Sequence, residues 1–188
     1  KIISTNGVKG FYEGQIAAKI DSYMRENGGL ITKKDLKNYR PIWREALHGN
    51  FNEYKIVTMG PPSSGGVHVI QMLNILENFD LIQMGHNSPT YTALLTESMK
   101  YAYADRSKYL GDPDFFDVPV QSLVSKEYAK KIYNKIKLNS ITPSDKVLPG
   151  SELKHESLDT THFSVADKNG NIVSNTYTLN SGFGSGVV

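Results

Sequence analysis

The residues best suited to chemistry lie near the end of the chain, in Asp159-Thr160-Thr161-His162-Phe163-Ser164-Val165 and in Thr176-Tyr177-Thr178-Leu179-Asn180. A threonine hydroxyl is a weak nucleophile alone. It becomes effective when a base sits beside it, and its own α-amine can serve once the preceding peptide bond is cut. The chain is therefore read as a precursor with its scissile bond at Asp159–Thr160. Threonine is also common in strands simply because a β-branched side chain suits the pleat, so the spacing does not by itself assign chemistry.

The two segments flank Asp167-Lys168-Asn169-Gly170-Asn171 and form a hairpin pattern. Asn-Gly admits a two-residue turn or a three-residue loop with glycine in the left-handed region. The choices differ by one residue in register, which turns every side chain of one strand over. The two-residue turn mixes Phe163 and Val165 with Ser174 and Thr176. With Lys168-Asn169-Gly170 as the loop, Asp167 faces Asn171 and the pairing runs to Thr160 opposite Thr178. One face is then Thr161, Phe163, Val165, Val173, Asn175, Tyr177 and Leu179. The other is Thr160, His162, Ser164, Ala166, Ile172, Ser174, Thr176 and Thr178. The second register sorts the faces better and is preferred. It sets Thr178 within hydrogen-bond reach of Thr160 across the pair, puts Asn180 on the same polar face, and sends Phe163, Val165, Val173, Tyr177 and Leu179 toward a core.

The elements that must hold this hairpin read as mainly helical. Ile16, Ile20 and Met24 recur at helical spacing behind Phe11, and Gly28-Gly29 ends them. Thr32-Lys33-Lys34-Asp35 resembles a capping box. Glu45 to Met59, with Gly49-Asn50, reads as a hairpin. Pro61-Pro62-Ser63-Ser64-Gly65-Gly66 is a shaped loop, without the lysine of a phosphate loop. It leads a helix with Val67, Ile70, Leu73 and Leu76 on one side. Ser88-Pro89 caps the longest helix, to about Leu110, with Tyr91, Leu94, Leu95, Met99 and Ala102 as its apolar stripe. Asp112 and Asp114 belong to a turn. Ser125 caps a further helix with Ala129, Ile132 and Ile136 inward. Residues 137–159 show no periodicity, as a segment ahead of a cleavage point would not. Helices followed by closing strands predict an α+β or layered α/β fold.

Composition narrows the function classes. The chain has 188 residues, 21 basic and 19 acidic, for a formal net charge of +2. No basic run points to nucleic acid. The absence of cysteine excludes disulfides, thiol nucleophiles and thiolate metal sites. The five histidines, His48, His68, His86, His155 and His162, have no ligand spacing, so no metal or cofactor is expected. No apolar run approaches the ~20 residues of a membrane span. The chain reads as cut from something larger at both ends.

Six segments in order resemble the gamma-glutamyltranspeptidase family: Phe11-Tyr12-Glu13-Gly14; Asn27-Gly28-Gly29-Leu30-Ile31-Thr32 with Asp35-Leu36; Pro61 to Gly66; Leu73-Asn74-Ile75-Leu76-Glu77; Tyr103-Ala104-Asp105-Arg106-Ser107 with Leu110 to Asp114; and Thr160 to Val165. The resemblance implies an N-terminal-nucleophile hydrolase, a layered αββα sandwich of which this chain is a part. Residues 1–159 would be the C-terminal part of the large subunit and residues 160–188 the start of the small one. Thr160 would both cut the precursor and attack the γ-glutamyl amide of glutathione or a related compound, passing the acyl group to water, an amino acid or a dipeptide. Thr178 would hydrogen-bond the nucleophile, and Asn180 would hold the α-amino or α-carboxylate end of the glutamyl group. The resemblance also implies a periplasmic or secreted protein and a need for the rest of its own precursor. The arginine that grips the glutamyl carboxylate is expected upstream of Lys1, and the oxyanion hole downstream of Val188, so the chain alone is expected to be incompetent. Related acylases and capsule depolymerases share the nucleophile pattern. A non-catalytic, partner-binding domain is the alternative from another class.

Overall fold

The computed structural model describes residues 1–147 and 161–177. They are a mixture of helices and two antiparallel hairpins, in the order α1 (Ile2–Asn6), α2 (Val8–Tyr12), α3 (Gln15–Glu26), α4 (Lys33–Asn38), β1 (Leu47–Phe51), β2 (Tyr54–Thr58), α5 (Gly65–Leu76), α6 (Leu81–Met84), α7 (Pro89–Tyr109), α8 (Val120–Leu123), α9 (Lys126–Tyr133), β3 (Thr161–Ala166) and β4 (Ile172–Tyr177). Packing divides the chain into two compact units, residues 43–154 and residues 1–42 together with 155–188.

In the unit that contains the N-terminus, α3 ends as its glycines predict. Gly28 has φ of +73°, and the Gly29 N–H reaches back to the Met24 carbonyl at 2.7 Å, the six-to-one bond of a Schellman ending. The capping box of α4 forms: the Asp35 N–H donates to Thr32 Oγ1 at 3.2 Å, and the Thr32 N–H donates to the Asp35 carboxylate at 2.9 Å. Asp21 of α3 accepts from the Lys33 N–H at 2.8 Å and pairs with Arg25. The Lys33 bond, with Arg25 beside it, holds the Asp21 carboxyl below the usual carboxylate range.

The core of residues 43–147 is built around α5. This helix was expected to bury one stripe, yet Val67, His68, Ile70, Gln71, Asn74, Ile75 and Leu76 are all buried, and Leu73 is only half-buried. Burial on several sides makes it a central helix rather than a surface one. Ile75 and Leu76 pack with Leu94, Tyr101, Ala104, Ala129, Ile132, Ile136 and Val147. Val67 and Ile70 pack with Leu47 and Leu123. Ala129, Ile132 and Ile136 point inward as expected, and Ser125 caps α9 by accepting from the Tyr128 N–H at 3.1 Å.

Two expectations are corrected here. The apolar stripe assigned to α7 is rotated: Met99 is exposed, while Leu94, Glu97, Ser98, Tyr101, Ala104 and Asp105 are buried with Ala102. Polar groups can occupy that face because they find partners inside, as Ser98 Oγ does at the Leu94 carbonyl, 2.9 Å away. The β1–β2 hairpin exists, but its turn is Asn52-Glu53, and Gly49-Asn50 lies within β1. Gly49 serves packing instead, since a Cβ there would stand 2.9 Å from two side-chain carbons of Ile70.

Candidate active site: the threonine hairpin and a buried polar core

The register of β3 and β4 is the one preferred from the faces. Ala166 pairs with Ile172, Val165 with Val173, Ser164 with Ser174, Phe163 with Asn175, His162 with Thr176 and Thr161 with Tyr177. The loop is Lys168-Asn169-Gly170. Gly170 has φ of +84°, where glycine sits at no steric cost. The Asp167 N–H donates to the Asn171 carbonyl at 3.0 Å, and the Gly170 N–H to the Asp167 carbonyl at 3.2 Å. Asp167 is the organiser that the sequence reading missed. Its Oδ1 accepts from the N–H groups of Asn169 and Asn171 at 2.8 and 3.0 Å, and its Oδ2 from the Asn171 side chain at 2.8 Å. These bonds, led by the Asn171 amide, hold its carboxyl below the usual range. An Asp at the last strand position before Asn-Gly is a legible signal for such a turn.

Thr160, Thr178, Asn180 and Asp159 lie outside the described residues, as does Leu179. Val165 and Val173, expected to face a core, are 56% and 59% exposed, and Ile172 on the opposite face is 74% exposed. A two-stranded hairpin has no layer of its own to bury either face against.

A second group of chemically capable side chains lies inside residues 43–147, and sequence patterning did not assemble it. The Asp105 carboxylate is 1% exposed. It accepts from Tyr128 Oη at 2.9 Å on each oxygen and from Gln71 Nε2, joining α7 to α9 and α5. Burial raises the Asp105 carboxyl above the ordinary value, against the opposing effect of the Gln71 and Tyr128 bonds. Burial, then the Asp105 charge, raises the Tyr128 phenol. His68 is buried with Nε2 unpartnered, its ring 5.2 Å from that of Tyr103. Desolvation, with the Arg106 charge second, depresses it to about 4, so it is a neutral imidazole at pH 7. Of this group, Tyr103, Asp105 and Arg106 stood among the matched segments, while His68, Gln71 and Tyr128 did not. The hydrogen bonds to Asp105 hold three helices together, while Gln71 Oε1, like His68 Nε2, is buried without a hydrogen-bond partner.

Elsewhere, Asp112 and Asp114 form the expected turn, the Asp114 N–H donating to Asp112 Oδ1 at 3.0 Å. Asp114 additionally takes the Arg44 guanidinium in a fork at 3.1 and 2.8 Å. The Pro61 to Gly66 loop is shaped by a close approach of Gly66 to Met59. Among the described residues, no group of three or more His, Asp or Glu is placed to hold a metal ion.

Comparison with known proteins covers all of this. The model of the family described as Gamma-glutamyltranspeptidase matches residues 1–188. The glutathione hydrolase proenzyme of Escherichia coli K12 is 50% identical over 188 residues, all of this chain and 32% of that protein. The acylase ACY 1 proenzyme of Pseudomonas sp. SE83 is 42% identical over 185 residues, 98% of this chain and 32% of its own length. Among solved structures, Helicobacter pylori gamma-glutamyltranspeptidase superposes with a TM-score of 0.73 at 48% identity, over 84% of this chain and 45% of that one. A cephalosporin acylase from Bacillus halodurans gives 0.73 at 28% identity, over 100% of this chain and 32% of its own. The chain thus spans about a third of the length of the curated relatives it matches. With a mixed helix-and-strand fold whose neighbours are these enzymes, and a family match along its whole length, the chain belongs to the gamma-glutamyltranspeptidase family.

Proposed function

We propose that the whole protein is a self-processing γ-glutamyl acyltransferase and glutathione hydrolase in which Thr160 is the nucleophile. The observation that carries this reading is the β3–β4 register. The described pairing ends at Thr161–Tyr177, and this reading adds one further pair, Thr160 opposite Thr178, a separation at which one hydroxyl can orient the other. Maturation then runs as an acyl shift. Thr160 Oγ attacks the Asp159 carbonyl, the C–N bond breaks as an ester forms, and water cleaves the ester to leave the Asp159 carboxylate and a free Thr160 amine. That amine takes the hydroxyl proton when the same Oγ attacks a γ-glutamyl amide. The amine leaving group departs protonated, and the γ-glutamyl ester goes to water or to the amine of an amino acid or dipeptide. Asp159 contributes its carbonyl alone. In this reading Asn180, two residues after Thr178 in the sequence, is assigned to the α-amino or α-carboxylate end of the glutamyl group.

The same reading carries the four-layer αββα sandwich, division at 159/160 into subunits, dependence on the rest of the precursor, and a periplasmic or secreted location. The acylase relatives favour a second reading within the same chemistry, in which the acyl group is not γ-glutamyl. The test is Thr160→Ala in the full-length protein. Loss of both the two-piece pattern and hydrolysis of a γ-glutamyl anilide is expected, and retained hydrolysis refutes the assignment. Turnover of cephalosporin-type amides but not the anilide by the unaltered protein would select the acylase reading.

A further inference from the structure

The β3–β4 hairpin has two turns open to it, and it takes the one that Asn-Gly favours less. Asn-Gly is the preferred pair for a two-residue turn, which needs positive φ at both residues. Here Gly170 has φ of +84°, while the non-glycine residues of positive φ among the described residues are Asn52 and Asn87, not Asn169. The loop is the three residues Lys168-Asn169-Gly170, with Ala166 opposite Ile172. The other hairpin behaves oppositely. β1 and β2 close through the two-residue turn Asn52-Glu53, with Phe51 opposite Tyr54, although this pair lacks the glycine. The residues leading the two turns differ. β1 ends in Phe51, whereas β3 leads into Asp167, whose Oδ1 accepts from the N–H groups of Asn169 and Asn171 and whose Oδ2 accepts from Asn171 Nδ2. Burial does not supply the choice among the described residues, since Val165 and Val173 on one face and Ile172 on the other are all exposed. Register then falls to the turn.

Resting on the assignment of Thr160 as the nucleophile, we propose that Asp167 is a positioning residue for the reaction: its carboxylate selects the three-residue loop over the two-residue turn, and so decides which residue stands across from Thr160. The two-residue turn would move the pairing by one position. Lys168 would face Asn171, Ala166 would face Val173, and Thr160 would face Leu179 in place of Thr178. A slip of one residue also turns the side chains of one strand to the opposite face, so the Thr178 hydroxyl would be carried away from that of Thr160. In this proposal Asp167 touches neither substrate nor nucleophile. It acts along the ladder, through the register alone.

The experiment uses the full-length precursor, with cysteine pairs placed in a hairpin that has none of its own. Ala166→Cys with Ile172→Cys reports the observed register, and Ala166→Cys with Val173→Cys reports the slipped one. Opposed residues stand ~4.5–5.5 Å apart at Cα, within disulfide reach, while residues one out of register point to opposite faces. With Asp167 present, the first pair should cross-link and the second should not. Asp167→Ala should exchange the two results, and without the cysteines it should lose self-cleavage and γ-glutamyl anilide hydrolysis. Deleting Lys168 from the Asp167→Ala variant leaves Asn169-Gly170 as a two-residue turn with position 167 facing Asn171, which returns every other pair to its place. This double variant should regain the first cross-link, self-cleavage and hydrolysis, a rescue that a merely stabilising Asp167 would not allow. Unchanged cross-linking in Asp167→Ala overturns the proposal. So does a double variant that stays uncleaved and inactive, even where Asp167→Ala alone does not fold. A slipped hairpin that matures and turns over at the unaltered rate overturns the role of Asp167 in the reaction together with the pairing of Thr160 and Thr178. An unaltered precursor that cross-links as expected yet never cleaves itself overturns the parent assignment and the positioning role that rests on it, while the cross-links still decide the choice of turn.

Discussion

Replacing Gly66 by alanine sets two effects against each other, and the structure decides the winner. Gly66 is the second residue of α5, and alanine in a helix is favoured over glycine by about 0.8–1 kcal/mol. A Cβ at this position, however, would stand 1.9 Å from the Met59 carbonyl oxygen, 2.8 Å from Thr58 Cγ2 and 2.9 Å from the Met59 carbonyl carbon. Two of these atoms are backbone, so no rotamer change relieves the contact. Relief requires the end of β2 to separate from α5 by about 1 Å or more, judged against ordinary carbon–oxygen packing distances. Overpacking of this kind costs about 1–3 kcal/mol, and loss of the β2–α5 contact puts Gly66→Ala at the upper end even after the propensity gain. Gly65→Ala is the internal control: its nearest neighbour would be Ser63 Oγ at 3.6 Å, an ordinary contact, so it should be neutral or stabilising by about 0.5 kcal/mol. Urea unfolding of the two variants, read by far-ultraviolet circular dichroism, measures both. Equal midpoints for Gly65→Ala and Gly66→Ala, or a stabilised Gly66→Ala, would refute the packing explanation of this Gly-Gly pair.

Two further outcomes follow from the buried polar core. A histidine whose folded value is depressed from 6.5 to about 4 supports the fold fully above pH 6.5 and loses that support as pH falls toward 4. At about 1.4 kcal/mol per pKa unit the ceiling is about 3 kcal/mol. His68→Phe should therefore flatten the stability–pH curve between those values, and an acid limb unchanged by the substitution would contradict the neutral, buried imidazole. Tyr128→Phe removes the donor shared by both Asp105 oxygens and should cost about 1–3 kcal/mol. Because burial already raises the Asp105 carboxyl, and a raised carboxyl weakens the fold as pH rises through it, the cost should be larger at pH 7 than at pH 4. A pH-independent cost measured by denaturant titration would argue against an ionised Asp105.

Much of this molecule was legible in one dimension because its signals are local. Ser88, Ser125, Thr32 and Gly28 mark helix ends through bonds that span only a few residues. The β3–β4 register followed from sorting two faces and from one glycine needing positive φ, and both are properties of a single hairpin, residues 161–177. The family was legible for a different reason, the order and spacing of six short segments. What remained hidden depends on contacts distant in sequence. Nothing near Gly49 or Gly66 announces that Ile70 or the Met59 carbonyl will press against it. Helical periodicity placed Met99 inside α7 and left Glu97 and Asp105 out, because a periodicity count treats polar residues as solvent-facing. Each is enclosed with partners from other turns and other elements, Lys100 and Thr142 at Glu97 Oε1 and Gln71 and Tyr128 at the Asp105 carboxylate. Periodicity thus determined where the helices run, and the tertiary structure alone decided which polar side chains could be enclosed, since enclosure requires partners that the local chain does not supply.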